Sequence, residues 1–133
     1  MNLYMEENRG NILMYQTVDG NTAIEVVLSD DTVWLTIDKM AELFQRNKST
    51  ISRHIKNILE CGELSADSVV AFFATTANDN KVYNVQYFNL DMVISVGYRV
   101  NSLRGVQFRK WATSVLREYL IKGFAMNDAL LKN

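Results

Sequence analysis

Basic and hydroxyl-bearing side chains are concentrated in one short stretch, residues 46–56, with no acidic residue among them. Lysine and arginine neutralise phosphate charge, and short hydroxyl side chains donate hydrogen bonds to phosphates or to base edges. Such a stretch is typical of a surface that binds nucleic acid. The residues that we expect to make this contact are Arg46, Asn47, Lys48, Ser49, Thr50, Ser52, Arg53 and Lys56.

Hydrophobic spacing around this stretch predicts two short helices, separated by a tight turn, that would position it. In both, apolar residues recur at intervals of three and four, which is the spacing of one buried helical face. Thr36 is the expected N-cap of the first helix and Asn47 that of the second, whose N-terminus would also attract a phosphate. Residues 36–64 therefore predict a helix-turn-helix. The two buried stripes are Ile37, Met40, Ala41 and Phe44, then Ile51, Ile55, Ile58 and Leu59.

The run of residues 47–54, NKSTISRH, resembles the start of the recognition helix of many bacterial repressors, in which a small cap precedes a Thr-Val/Ile-Ser-Arg core. The ten-residue interval from Ala41 to Ile51 matches that pattern too. A generic helical hairpin, in which the same caps and buried faces serve stability alone, is the alternative. The resemblance to repressors implies base-edge contacts by Lys48, Ser49 and Arg53.

The turn departs from the repressor pattern at one position, because the residue that is usually glycine is Gln45 here. A side chain disfavours the left-handed backbone conformation that glycine adopts in such a turn. We therefore expect a turn that is wider than the standard one.

Charge is unevenly distributed along the 133 residues, a length that predicts one domain with its own core. The formal net charge of −1 would argue against a nucleic-acid binder if the charge were spread evenly. However, residues 1–42 hold eight acidic residues against Arg9 and Lys39, whereas residues 99–122 hold six basic residues against Glu118. The chain is therefore predicted to be dipolar.

Residue types that build catalytic or metal sites are scarce. Cys61 is the single cysteine and His54 the single histidine, so an intramolecular disulfide is excluded and a metal site or catalytic triad has little to build on. No glycine-rich phosphate loop is present. We therefore predict that the protein is not an enzyme and takes no metal or cofactor. The sequence also lacks the roughly twenty apolar residues of a bilayer span, and its acidic start is no signal peptide, which predicts a cytoplasmic protein without a membrane partner.

Two β-hairpins are predicted on either side of the helix pair. Strand-like runs at residues 11–17 and 22–28 flank an Asp-Gly turn, and a third run at residues 32–35 carries Trp34, expected to join sheet to helix in the core. Runs at residues 69–76 and 81–88 form the second hairpin, in the position of a wing whose tip would lie along the DNA backbone. An ordinary solvated hairpin end is the alternative. The candidate tip contacts are Thr75, Thr76, Asn78, Asn80 and Lys81.

Two further helices are expected to complete the domain. The first covers residues 90–98 with Asn89 as its cap, and the second, long helix begins near Ser102 and closes at Lys122 and Gly123. The apolar stripe of the long helix is expected to lie in the core or in a dimer interface. The basic face of the same helix is either exposed to solvent or makes a second phosphate contact. The predicted fold is α+β: a winged helix-turn-helix-like domain over residues 11–124, with β-hairpins and a long C-terminal helix. Residues 1–10 are expected to be a flexible N-terminus, and residues 125–133 to begin a linker or C-terminal region.

Residues 87–100, followed by residues 108–113 and 116–124, are similar to the bacterial virulence-associated RhuM family, and the similarity covers nearly all of the chain. A strand leading into Trp34, then a helix, and later an F-x-x-W helix resemble, more distantly, the Bro-N and KilA-N modules of phage antirepressors. These resemblances imply a protein of a mobile element or genomic island with an N-terminal DNA-binding domain. They also imply that many family members have a longer C-terminal region.

Two functions from different classes follow from these patterns. The first is a sequence-specific transcriptional regulator on double-stranded DNA of the nucleoid, with the second helix in the major groove. A homodimer would suit it, because two-fold proteins bind palindromic sites. The alternative is an antirepressor or toxin–antitoxin-type adaptor that binds a regulatory protein partner through its apolar C-terminal helix.

Overall fold

A computed structural model describes residues 11–131 of the chain, with side-chain environments from residue 12 to residue 123. The flexible N-terminus predicted for residues 1–10 lies outside the described residues, as do the last two residues of the predicted C-terminal segment.

An antiparallel sheet of five strands forms the centre of the molecule. Its strands are β1 (Asn11–Gln16), β2 (Ala23–Ser29), β3 (Thr32–Leu35), β4 (Val70–Thr76) and β5 (Val82–Asn89), in the spatial order β1-β2-β3-β5-β4. The described helices are α1 (Ile37–Phe44), α2 (Lys48–Glu60), α3 (Ala66–Val69), α4 (Leu90–Arg99) and α5 (Leu103–Leu131). The α+β class, the β-hairpins and the long C-terminal helix are therefore confirmed. Within residues 11–131, no helix combines the length and the apolar content needed to cross a membrane.

The pairing of β3 with β5 fixes where the helix pair lies. Trp34 pairs with Asn89 and Leu35 with Phe88, although α1, α2 and α3 all lie between these strands in the sequence. The chain therefore leaves the sheet after β3, forms three helices, and returns through β4 to place β5 beside β3. As a result, α1 begins directly at the sheet and packs against it.

The two faces of the sheet carry separate apolar clusters. Val33 and Leu35 face the helices and belong to the main core, whereas Trp34 packs on the opposite face against Val27 and Phe73. Trp34 is buried, as predicted, and its Nε1 donates to the carbonyl oxygen of Ser29 at 3.0 Å. The prediction that Trp34 joins sheet to helix was wrong. Successive side chains of a strand point to opposite faces of the sheet, and Val33 and Leu35, on either side of Trp34, point to the face that the helices cover.

Two glycines let α4 and α5 cross closely over the end of α1. A Cβ at Gly105 would lie 3.2 Å from Cε1 of Phe44 and 3.3 Å from the Cα of Gly97. The buried ring of Phe44 therefore rests on both helices where they meet. Further along α5, Phe108 packs edge-on against Tyr15 of β1, with ring centroids 5.1 Å apart. These contacts attach the first half of α5 to the sheet and to α1.

The long helix does not end at Lys122 and Gly123 as predicted, because α5 continues to Leu131. Glycine stops a helix when its backbone becomes left-handed, whereas inside a helix it costs only about 1 kcal/mol relative to alanine. Good helix formers on both sides of Gly123 outweigh that cost. Residue 124 is therefore not the boundary of a structural element.

Candidate nucleic-acid interface

The turn that joins α1 to α2 is three residues long, Gln45, Arg46 and Asn47. Gln45 adopts the left-handed conformation itself, with φ 55° and ψ 50°. The backbone N–H of Arg46 donates to the carbonyl oxygen of Ala41 at 3.1 Å, which closes the end of α1 in the manner of a Schellman motif. The expectation of a wider turn was therefore wrong: the glutamine accepts the strained conformation and the turn stays tight.

The N-termini of the two helices are stabilised differently. The hydroxyl oxygen of Thr36 accepts a hydrogen bond from the backbone N–H of Lys39 at 3.2 Å, so the predicted cap of α1 is confirmed. Asn47 occupies the N-cap position of α2, but its side chain makes no capping hydrogen bond. The first backbone N–H groups of α2 therefore keep their donor capacity, and the positive end of the helix dipole points outward with them.

The buried stripe of α2 leaves most of the predicted contact residues on the solvent side. Ile51, Ile55 and Ile58 are buried against the core. The exposed residues at intervals of three and four are Ser49, Ser52, Arg53 and Lys56, which therefore share one face. We call these four residues the α2 face.

Three residues border the α2 face. Lys48 is exposed and Thr50 is half-buried, one on each side of Ser49. Asn57 is also exposed, and sequence reasoning missed it. The signal for it is its spacing, since it follows Arg53 by four residues, and an exposed amide there has the donor and acceptor that an adenine edge requires.

Acidic groups on α1 reduce the positive charge next to the α2 face. Lys48 Nζ lies 2.9 Å from Oδ1 of Asp38, and both side chains are largely exposed. Lys39 pairs with Glu42 at 3.5 Å on the same helix. An exposed pair of this kind contributes little to stability, yet it neutralises a cation that a phosphate would otherwise attract.

The guanidinium of Arg46 donates hydrogen bonds to backbone carbonyl oxygens within the domain. Its NH1 nitrogen donates to the carbonyl oxygen of Phe44 and its NH2 nitrogen to that of Val100, each at 3.1 Å. These carbonyls lie at the C-terminal ends of α1 and α4, where a cation is favoured by the helix dipole. Arg46 therefore ties the turn to α4, and its guanidinium would have to give up these hydrogen bonds to contact a phosphate.

His54 lies under the α2 face and is half-buried. Burial, and then the charges of Arg53 and Arg99, lower the pKa of His54 below its ordinary value of 6.5. The imidazole is therefore neutral at neutral pH. The positive charge of the α2 face comes from Arg53 and Lys56, neither of which forms an ion pair within the described part of the chain.

The tip of the β4–β5 hairpin carries a carboxylate beside its lysine. Asp79 accepts hydrogen bonds from the hydroxyl of Tyr83 at 2.6 Å and from the backbone N–H of Lys81 at 2.9 Å. The tyrosine, and then the backbone donor, lower the pKa of Asp79, which is therefore ionised at neutral pH. Of the candidate tip contacts, Thr75 is half-buried and the others are exposed: Thr76, Asn78, Asn80 and Lys81.

Residues 68–133 match the Virulence protein RhuM family. The C-terminal half of the chain belongs to this family. The RhuM match covers β4, β5, α4 and α5, whereas α1 and α2 lie outside it. The resemblance predicted from the sequence is therefore confirmed for the C-terminal half of the chain. No curated protein and no solved structure matches the chain.

The strain at Gln45 predicts a stabilising substitution. Gln45→Gly should raise the free energy of unfolding by roughly 1 kcal/mol, because glycine adopts the left-handed conformation without a Cβ clash. Gln45→Ala keeps that clash and should leave the value nearly unchanged. Urea denaturation of the two variants measures the difference, and equal stability would show that the turn is not strained.

The two helix-end hydrogen bonds of Arg46 predict a stability cost for their loss. Arg46→Ala should lower the free energy of unfolding by roughly 1–2 kcal/mol, since two carbonyls lose a charged donor. Arg53→Ala, which removes an arginine from the exposed α2 face, should change it by less than about 0.5 kcal/mol. Thermal and urea unfolding compare the two variants. If both were equally stable, the role of Arg46 in the fold would be disproved.

Proposed function

We propose that this RhuM-family chain is a sequence-specific DNA-binding domain that acts as a transcriptional regulator, with α2 in the major groove. The observation that carries the proposal is the α2 face, which combines two cations with two small hydroxyl side chains on one exposed helical surface. Its opposite side is fixed in the core by three isoleucines, so the face is presented rigidly. A rigid helix with short and cationic side chains suits the width of the major groove.

The order of the elements supports this proposal. The pair α1 and α2, with its tight turn, has the form of a helix-turn-helix, and the β4–β5 hairpin follows it. Because β5 returns to pair with β3, the hairpin is joined to the strand that precedes the helices. In the winged helix-turn-helix that we propose, this hairpin is the wing.

Each exposed residue of α2 receives a role from its chemistry. Arg53 contacts base edges, because its planar guanidinium fits the two acceptors of guanine. Lys56 contacts phosphate as a flexible point charge. Ser49 and Ser52 reach bases or phosphates near the start of the helix, where the uncapped N–H groups also face the backbone of the DNA. Asn47, Lys48, Thr50 and Asn57 complete the proposed contact set, and Lys48 joins it when it leaves Asp38.

Lys81 is proposed as a phosphate contact of the wing. Its side chain is exposed at the hairpin tip. The ionised Asp79 beside it repels phosphate, so the wing contributes less than one full charge to binding. The wing therefore positions the domain on DNA, whereas α2 supplies discrimination.

A second candidate function is an antirepressor or toxin–antitoxin-type adaptor that binds another protein. The observation that favours it is the exposure of large apolar side chains at three successive positions of α5, Tyr119, Leu120 and Ile121. Affinity capture from a lysate treated with nuclease separates the two functions. A protein partner remains bound after that treatment, whereas a partner bridged by DNA is lost.

Different roles for Arg53 and Lys56 predict different binding defects. Arg53→Ala should weaken binding to selected genomic fragments by about 1–3 kcal/mol while changing binding to random duplex less. Lys56→Ala should weaken both equally and reduce the salt dependence by about one phosphate contact. Fluorescence anisotropy at several salt concentrations measures both effects. Equal losses on selected and random DNA for the two variants would contradict the assignment, and no binding by the unchanged protein even at low salt would contradict the function.

The pairing of Lys48 with Asp38 predicts that a carboxylate weakens DNA binding. Asp38→Asn should increase affinity for random duplex by roughly threefold at low salt, because Lys48 is released and a repelling charge is removed. Glu25→Gln, at an exposed position of β2 on the sheet face opposite the helices, makes the same change in net charge and should have a smaller effect. If both variants gained affinity equally, net charge rather than the Asp38 pair would be responsible.

A further inference from the structure

Strand β1 forms one edge of the sheet, and within residues 11–131 it pairs with β2 alone. The backbone N–H of Thr17, just after β1, donates to the carbonyl oxygen of Thr22 at 2.8 Å, which makes these two residues a hydrogen-bonded pair of the ladder. Along an antiparallel ladder, such pairs alternate with pairs whose backbone groups point away from the partner strand. The residues of β1 that direct their N–H and C=O groups outward are therefore Ile12, Met14 and Gln16.

The three outward residues of β1 are all exposed. Ile12 is 49% exposed and Met14 is 60% exposed, and Gln16 is exposed as well. Within residues 11–131, no group forms a hydrogen bond with their outward backbone atoms. Their side chains lie on the sheet face opposite the helices, since Leu13 and Tyr15 between them pack in the main core. We call Ile12, Met14 and Gln16 the β1 edge.

The β1 strand lacks the features that keep edge strands from pairing with another chain. Natural edge strands usually carry a charged residue, a proline or a bulge for this purpose. The sequence of β1, NILMYQ, contains neither a charged residue nor a proline. Its six residues pair with β2 in an unbroken register, so no bulge bends the edge away. The β1 edge therefore has the properties of a strand that pairs with a further strand.

The opposite edge of the sheet, β4, is less open. The backbone N–H of Val70, at the start of β4, already donates to the carbonyl oxygen of Ala66. Ala74, in the middle of the same strand, is only 3% exposed. A strand that paired along the whole of β4 would therefore displace contacts that the fold already makes. Of the two edges, β1 is the one that is open along its length.

We propose that β1 pairs antiparallel with β1 of a second copy of the chain, about a two-fold axis at Met14, which joins the two five-stranded sheets into one. In this register Met14 lies opposite its equivalent, and Ile12 lies opposite Gln16 of the second copy. Each outward residue exchanges both of its backbone hydrogen bonds with the residue opposite, so the donors and acceptors of both edges are all used. A shift of the register in either direction leaves outward groups at the strand ends without a partner on β1.

The composition of the β1 edge favours a second copy over an unrelated strand. An uncharged edge offers no charge by which a different partner could be selected. The edge does match itself, because the two-fold register places Met14 against Met14 and sets Ile12 diagonally beside it, within reach of long side chains. The exposed apolar side chains of each copy then cover those of the other. This is the self-complementarity of an isologous interface.

The mass of the full chain in solution, without DNA, tests the proposal independently of the proposed function. Sedimentation equilibrium should give twice the 15.2 kDa of the chain at high concentration. Met14→Lys and Met14→Glu should each give the single-chain mass, because like charges would face each other on the axis. An equimolar mixture of the two variants should restore the doubled mass, since opposite charges then face each other.

Gln86→Lys is the matched control, because it adds a lysine at an exposed position of β5, a strand inside the sheet. This variant should keep the doubled mass, and circular dichroism verifies that every variant is folded. A single-chain mass for the unchanged protein, which is the result expected if residues 1–10 of the same chain paired with the edge instead, would overturn the proposal. So would a doubled mass for folded Met14→Lys alone, or a mixture of the two folded Met14 variants that keeps the single-chain mass.

Cysteine cross-linking tests the register in a Cys61→Ser background. Met14→Cys should form a disulfide-linked dimer on oxidation, because the Cα atoms of a hydrogen-bonded pair lie about 5.5 Å apart, within the range that a disulfide spans. Ile12→Cys alone should not, since its two equivalents are offset by four residues, about 14 Å along the strands. Mixed with Gln16→Cys, it should form a linked heterodimer. Cross-linking of Ile12→Cys alone but not of Met14→Cys would overturn the proposed axis.

Discussion

The packing of Phe44 on the crossing of α4 and α5 is the contact on which the position of α2 depends. Because Gly97 and Gly105 carry no side chain, the ring reaches the backbone of both helices, and the last turn of α1 is held there. The tight turn after Phe44 then determines where α2 begins, and the hydrogen bond from Arg46 to Val100 fixes the same junction from the other side. The half of the chain that matches the RhuM family therefore supplies the surface on which the helix pair packs, and the helix pair itself lies outside the match. A chain with larger residues at the two glycine positions would have to move α1, and with it the α2 face.

Sheet pairing imposes a second constraint on the same helices. The helix pair follows β3, and the chain then returns through β4 to β5, which pairs with β3. The segment that contains the helices must therefore begin and end at the same part of the sheet. The side chain of Asn89 strengthens this closure: its oxygen accepts from the backbone N–H of Met92 to cap α4, and its nitrogen donates to the carbonyl oxygen of Ser68 before β4. A single buried asparagine thus links the end of β5, the start of α4 and the entry to β4. In this way the hairpin and the helix pair form one unit rather than two attached modules.

The sequence predicts those parts of the fold that depend on local chemistry. Strand pairs around an Asp-Gly turn, helices begun by Thr36 and Asn89, and the apolar stripe of α2 all have signals within a few residues, and all are present. The failures have other causes. The face that Trp34 occupies depends on which side of the sheet the helices cover, and the partner of Arg46 lies 54 residues away. Gly123 carries the local signal of a helix stop, yet the helix around it continues. The outcomes for Trp34 and Arg46 are decided by tertiary context, which no short window of sequence contains, whereas at Gly123 the good helix formers on both sides outweigh the cost of the glycine.

The charge distribution limits what kind of DNA binder this chain would be under the proposed function. Asp38 and Asp79 each neutralise part of the positive surface, so that Arg53 and Lys56 are the main cations of one α2 face. Two or three phosphate contacts give weak non-specific binding with a shallow salt dependence, since each contact releases about one counterion. Affinity for a specific DNA site must then come mostly from base contacts and from the binding of two chains, each with its own α2 face, to the same site. A two-fold pair of chains would double the contacts on a palindromic site while leaving binding to random DNA weak. The near-neutral charge of the chain is therefore compatible with specific binding, provided that two copies act together.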